Sequence, residues 1–125
     1  MDIPAGLRYT KEHEWLKIEG NTATVGITEY AQGELGDIVF VELPAEGTIV
    51  KAMQPFGTIE AVKAVSDLFS PVSGKVVAVN PKLEDDPMII NREPFGGGWM
   101  IKLEISNMEE VNRLLTADSY KKLVE

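Results

Sequence analysis

From Tyr9 to Ile27 the chain alternates between polar and apolar residues. Glu14-Trp15-Leu16-Lys17-Ile18-Glu19 and Thr22-Ala23-Thr24-Val25-Gly26-Ile27 show the period of two that marks half-buried strands. Gly20-Asn21 between them supplies turn chemistry, so the segment predicts a hairpin. Thr28 is a candidate cap for a short helix, EYAQGEL, which Gly36 ends. Asp37 to Leu43 (DIVFVEL) predicts a strong strand, closed by Pro44-Ala45-Glu46-Gly47. Thr48 to Val50 is short and ambiguous. Phe56 to Val62 and Val65 to Phe69 are two further apolar runs, and Pro71-Val72-Ser73-Gly74 turns the chain into a strand at Lys75 to Val79. The stretch from Pro81 to Asn91 is polar and irregular, with a helical turn around Leu83 to Asp86. Three consecutive glycines, Gly96 to Gly98, predict a loop before a last strand, Trp99 to Ile105.

After Ile105 the period changes. Met108, Val111, Leu114 and Leu115 fall at helical spacing, with Asn107 as a cap and Glu109 and Glu110 in the first turn, where the helix dipole favours them. A second short helix follows from about Ala117 to Leu123. Many short strands and then terminal helices predict a mostly β domain. We expect one domain over 1–125, with its β core at about 9–105 and C-terminal helices at about 107–124. One internal echo stands out: Gly36-Asp37-Ile38-Val39-Phe40-Val41 resembles Gly74-Lys75-Val76-Val77-Ala78-Val79. It raises the expectation of two sheets related by approximate two-fold symmetry, against the simpler view that any two strands after a glycine look alike.

Composition narrows the chemistry. The chain has 125 residues, 44% hydrophobic and 26% charged, which is ordinary for a folded globular domain. It has no cysteine, which removes disulfides, thiolate metal sites and cysteine nucleophiles together, and one histidine, His13, too few for a histidine-rich metal site. The net charge of −8 repels phosphate backbones and anionic membranes, so neither nucleic acid nor membrane is an expected partner. No apolar run reaches the roughly 18 to 20 residues of a membrane helix. The N-terminus lacks a signal-peptide or Arg-rich transit pattern, which predicts a cytoplasmic protein; a matured mitochondrial-matrix form fits the same sequence.

No nucleophile–base set is visible. His13 beside Trp15 reads better as a packing or hydrogen-bonding residue than as a catalyst, and no GxSxG elbow or phosphate-binding glycine motif occurs. Glu12, Glu14, Glu29, Glu34 and Asp37 crowd the first third, but acidic residues are so numerous that a solvated acidic face is the simplest account. Lys63 is different. It interrupts TIEAVKAVSDLFSP between Val62 and Ala64, with arms apolar enough to predict buried strands and a tight bend at the lysine. A solvated lysine amine is protonated and a poor nucleophile at neutral pH. At a rigid bend it makes more sense as an attachment point, where acylation removes the charge and lengthens the tether; biotin and lipoate are carried this way.

Here the sequence resembles a known family. IEAVKAVSDLFSPVSGKVVAVN looks like the lipoylation region of the glycine cleavage system H protein. HEW at 13–15, VGITEYAQGELGDIVFVELP at 25–44 and NREPFGGGWMIKLEI at 91–105 are similar to the same family, so the resemblance spans almost the whole chain. It implies a two-sheet sandwich or flattened barrel of lipoyl-domain type, monomeric, with a short internal helix and C-terminal helices. It implies a non-catalytic carrier with lipoate in amide linkage on Lys63. The implied partners are glycine decarboxylase, which loads an aminomethyl group, aminomethyltransferase, which passes the methylene to tetrahydrofolate, and dihydrolipoyl dehydrogenase, which reoxidises the dithiol. A lipoate ligase or lipoyltransferase would attach the cofactor. Glu14 and Asp67 match positions implicated in docking the loaded arm in a surface cleft, and Glu60 matches an acidic position involved in choosing the lysine. Val62 and Ala64 stand where biotinyl domains usually carry methionines, which favours lipoate.

Three departures affect docking detail. Ala61 stands where the family usually has serine, Glu12 where a small hydroxyl residue is common, and Met88 where an acid is frequent. Two other roles stay open at this point. A related carrier would relay octanoyl or lipoyl groups to other complexes. An interaction module that had lost modification would not need the Glu60…Lys63…Asp67 spacing seen here.

Overall fold

A computed structural model describes all residues, Met1–Glu125. The predicted hairpin is present: β2 (Glu14–Glu19) and β3 (Thr22–Ile27) pair antiparallel, with Gly20 in the left-handed region (φ 64°) at the turn. β1 (Arg8–Tyr9) adds to the outer side of β2. Thr28 caps α1 (Glu29–Leu35) by accepting from the Ala31 N–H at 3.2 Å, a contact worth about 1 kcal/mol. Gly36 (φ 81°) ends the helix.

Next come β4 (Ile38–Glu42), β5 (Ile49–Val50), β6 (Pro55–Ala61), β7 (Val65–Phe69) and β8 (Gly74–Val79). Two single-turn helices, α2 (Lys82–Asp85) and α3 (Ile89–Arg92), precede β9 (Ile101–Ile105). The first C-terminal helix is a 3₁₀ helix, Met108–Arg113, rather than an α-helix. It is capped by Asn107 and pinned to the β7–β8 turn by Glu110, whose two oxygens accept from Ser73 N and Oγ at 2.8 and 3.0 Å. The last helix, α4 (Ala117–Val124), follows where the sequence predicts a second short helix.

The strands form two antiparallel sheets and no closed barrel. One has six strands in the order β1-β2-β3-β9-β8-β5, and the other three in the order β4-β6-β7. The apolar faces meet over a core of 19 buried residues, including Leu16, Ile38, Ile59, Leu68, Val76 and Leu103. The echoed segments lie one in each sheet, but the sheets are unequal and the two glycines act differently. Gly36 caps a helix, while Gly74 sits in a strand where a Cβ would overlap the Glu104 carbonyl oxygen.

Two sequence expectations need correction. Glu14, assigned to a half-buried strand, is 1% exposed, as are its neighbours Trp15 and Leu16 to within 2%. The start of β2 is covered on both sides. The core lies on one; on the other Trp15 packs with Phe95 and donates to the Pro94 carbonyl at 2.9 Å. The arms around Lys63 are not both buried: Ile59 and Ala61 are, but Val62 and Val65 are 72% and 67% exposed. No other element packs on the outer face of the three-stranded sheet, so only the side facing the larger sheet is dry.

Candidate functional site

Lys63 lies at the tip of the β6–β7 hairpin, with Val62, Lys63 and Ala64 all exposed. The Ala61 N–H donates to the Ala64 carbonyl at 2.8 Å and closes the turn. The Val62 N–H donates to the Asp37 carbonyl at 3.0 Å, tying the turn to the start of β4. The lysine methylenes run over Gly36, where a Cβ would meet them at 3.4 Å. The amine therefore projects from a fixed base, with a stem resting on the end of α1.

That base has its own support, in a residue the sequence reading passed over. The Asn91 amide on α3 donates to the Gln32 Oε1 and to the Gly36 carbonyl, both at 2.9 Å, and accepts from the Ile38 N–H at 2.9 Å. One side chain thus joins α1, the helix cap and β4 immediately beneath the Lys63 turn. Asn91 is sequence-distant from all three, by 53 to 59 positions, and only its amide chemistry hinted at the role.

Beside the turn, α1 and β7 border a cleft of about 310 Å³. Its polar lining is Glu12, His13, Glu14, Glu34, Ser66 and Asp67, and its apolar lining includes Ile27, Leu35, Ile59 and Leu68. Glu14 and Asp67, the two predicted docking residues, thus reach one cleft. Glu60 does not line it; it stands exposed on β6, opposite Val65 and Phe40. The strand register puts Asp67 opposite Thr58, while Ser66 stands opposite buried Ile59. Ser66 is a cleft residue that the sequence reading missed. Of the departures, Glu12 lines the cleft, Ala61 is buried in β6 opposite Ile38, and Met88 lies outside the lining.

Glu14 is the most perturbed group in the cleft. Burial pushes its pKa up to about 8, against the pull of hydrogen bonds from the Thr10 hydroxyl (2.6 Å) and the Phe69 N–H (3.4 Å). No lysine or arginine lines the cleft to hold it ionised. A cationic group entering would supply that missing charge.

His13 completes the wall. Its φ of 70° lies in the left-handed region, unusual outside glycine. The ring is held by a 2.9 Å hydrogen bond between Nδ1 and the Tyr120 hydroxyl, and it packs against Tyr30. Burial lowers its pKa, with Glu12 and Glu34 opposing. Tyr120 also shares a 2.7 Å hydrogen bond with Thr28 and stacks on Tyr9 at 4.7 Å. The C-terminal helix thus braces the back of the cleft. This matches the packing role expected for His13.

Comparison with known proteins gives a consistent result. The family model described as glycine cleavage H-protein matches residues 7–125. The chain is 56% identical over 123 residues to the glycine cleavage system H protein of Bacillus mycoides (strain KBAB4), covering 98% of this chain and 97% of that one. The H protein of Bacillus cytotoxicus (strain DSM 22905 / CIP 110041 / 391-98 / NVH 391-98) is likewise 56% identical over 98% of the chain. Among solved structures, a glycine cleavage system H protein from Mycobacterium marinum superposes with a TM-score of 0.88 at 41% identity, over 95% of this chain and 96% of its own.

Proposed function

The chain belongs to the glycine cleavage H-protein family, and from that premise we propose that it carries lipoate on Lys63 and uses the neighbouring cleft to shelter the arm's cargo. As a member it is a non-catalytic carrier of the glycine cleavage system. In the finer reading the whole chain acts as one carrier domain. It takes an aminomethyl group from glycine decarboxylase to aminomethyltransferase and presents the reduced arm to dihydrolipoyl dehydrogenase. A lipoate ligase or lipoyltransferase installs the cofactor, with Glu60 on the exposed face beside Lys63 as part of its recognition surface.

One observation carries the reading: a single lysine is held out on a braced hairpin tip, directly beside an acidic cleft. The exposed amine leaves room for an amide linkage, and its stem starts at Gly36, at the end of α1. Once attached, the lipoyl dithiolane supplies the sulfur chemistry that a cysteine-free chain lacks. The chain's residues provide the rest. Glu14 at the cleft floor, with Thr10 orienting its carboxyl, accepts a hydrogen bond or charge from an amine. Asp67, Glu12 and Glu34 add negative charge at the walls, and Ile27, Ile59 and Leu68 add apolar surface. No helix is long and apolar enough to cross a membrane.

The test is intact mass after incubation with a lipoate ligase, ATP and lipoate. One lipoyl group is expected on the wild type and none on Lys63→Arg; no mass gain on the wild type refutes the assignment. Glycine–bicarbonate exchange with glycine decarboxylase then separates the roles. A fully lipoylated chain that fails to support exchange would be a lipoyl or octanoyl relay instead.

A further inference from the structure

The small sheet has a second feature, at the edge away from the cleft. A register shift between Ile38 and Phe40 turns both Val39 and Phe40 outward, at 52% and 53% exposure. Phe40, Glu60 and Val65 then stand side by side across the outer face, one strand apart, and exposed Val62 lies at its end in the Lys63 turn. From Phe40 this face runs into a groove of about 520 Å³ between β4, the segment after it, and α2. Phe40, Val41, Leu43, Val79 and Leu83 give the groove an apolar floor. Glu42, Glu46 and Glu84 line it as well, and no lysine or arginine does.

These three carboxylates are exposed and have no ion-pair partner; the chain's one ion pair, Arg92–Asp86, lies elsewhere. A groove with an apolar floor and unpaired acids of one sign is complementary to an apolar side chain flanked by cations. We propose that it is a docking site for a basic segment, with lysine or arginine residues around one large apolar side chain, on an enzyme that works on the Lys63 arm. This rests on the carrier reading above. The geometry gives it a purpose. The cleft lies at the β7 edge of the small sheet, the groove at the β4 edge, and the Lys63 turn at the end between them. A partner gripping the groove leaves the cleft unobstructed, so cargo can leave while the partner stays bound.

The test uses the full chain, lipoylated, with stocks matched by intact mass. Purified glycine decarboxylase, aminomethyltransferase and dihydrolipoyl dehydrogenase from a Bacillus relative are assayed with the chain as varied substrate. For Glu42→Lys/Glu46→Lys/Glu84→Lys, at least one enzyme should show KM raised about tenfold with kcat within twofold. Phe40→Ser should raise KM for the same enzyme. A control, Glu19→Lys/Glu104→Lys/Glu109→Lys, changes the net charge equally on other surfaces and should leave KM within threefold. Unchanged KM for all three enzymes with the groove variant overturns the proposal, as does an equal rise with the control. Direct binding of the unmodified chain to each enzyme reads the groove without the arm. A tenfold weaker Kd for the groove variant alone supports it and equal Kd overturns it, even if the wild type turns over with none of the enzymes and the carrier reading itself fails.

Discussion

Replacing Glu14 with glutamine tests the electrostatics of the cleft through stability. The wild-type carboxyl has a folded pKa of about 8, against 4.5 ordinarily. The folded value is the higher one. Its contribution is therefore full below about pH 4.5, where both states are protonated, and is lost as pH rises through about 8. Each unit of pKa difference is worth about 1.4 kcal/mol, so the gap corresponds to at most about 5 kcal/mol. Water at the cleft mouth eases the penalty, and about 3 kcal/mol between pH 5 and pH 8 is the expected loss. Glutamine cannot ionise. It keeps an acceptor for the Thr10 hydroxyl but turns a donor toward the Phe69 N–H, a fixed cost of about 1 kcal/mol at every pH. The quantity to compare is thus the slope rather than the level. Urea unfolding of the unlipoylated wild type and Glu14→Gln at half-unit steps from pH 5 to 8.5 measures it. The wild type should lose about 3 kcal/mol more than the variant across that range. Parallel curves would refute a carboxyl held neutral by burial. The same measurement on the loaded protein should flatten the wild-type curve, because a cation in the cleft lowers the Glu14 pKa.

Asn91→Ala removes three hydrogen bonds beneath the Lys63 turn and should cost about 2 to 3 kcal/mol by urea unfolding, together with slower lipoylation of Lys63 by a ligase. If lipoylation proceeds at the wild-type rate, Asn91 supports the fold without supporting the hook. Gly74→Ala drives a methyl into the Glu104 carbonyl oxygen across the β8–β9 pair and should destabilise by about 3 kcal/mol or more. Gly33→Ala, whose Cβ would meet nothing within 4 Å, should be neutral or slightly stabilising in α1, and a loss there comparable to Gly74→Ala would refute the steric account.

The parts of this structure legible in the sequence are those governed by neighbours in the chain. The Glu14 to Ile27 hairpin, the Thr28 cap, the Gly36 stop and the Lys63 bend follow from periods of two, turn residues and capping side chains within a few positions. The family resemblance then supplied Glu14 and Asp67 as a pair, and the fold does bring both to one cleft. What the pattern could not carry is any property decided by a distant segment. Glu14 alternates like a surface residue, yet its burial is set by Phe69, fifty-five positions on, and by the side of the molecule closed with Tyr120. Asn91 sits in a stretch that reads as irregular and polar, and its partners are at Gln32, Gly36 and Ile38.

The register shift in β4 shows the limit most clearly. DIVFVEL predicts a strong, uninterrupted strand. The bulge instead turns Val39 and Phe40 to the outside, because the small sheet has the larger one on only one side. A sequence stores the preference for a strand but not the width of the sheet it joins. It is that width, three strands with nothing packed outside them, that leaves Phe40, Val62 and Val65 in solvent beside Lys63. Glu60 stands among these apolar residues, and Glu42 and Glu46 line the groove that continues from Phe40, so negative charge interrupts the apolar face. The acids that keep this face charged are the same ones that would select a basic partner.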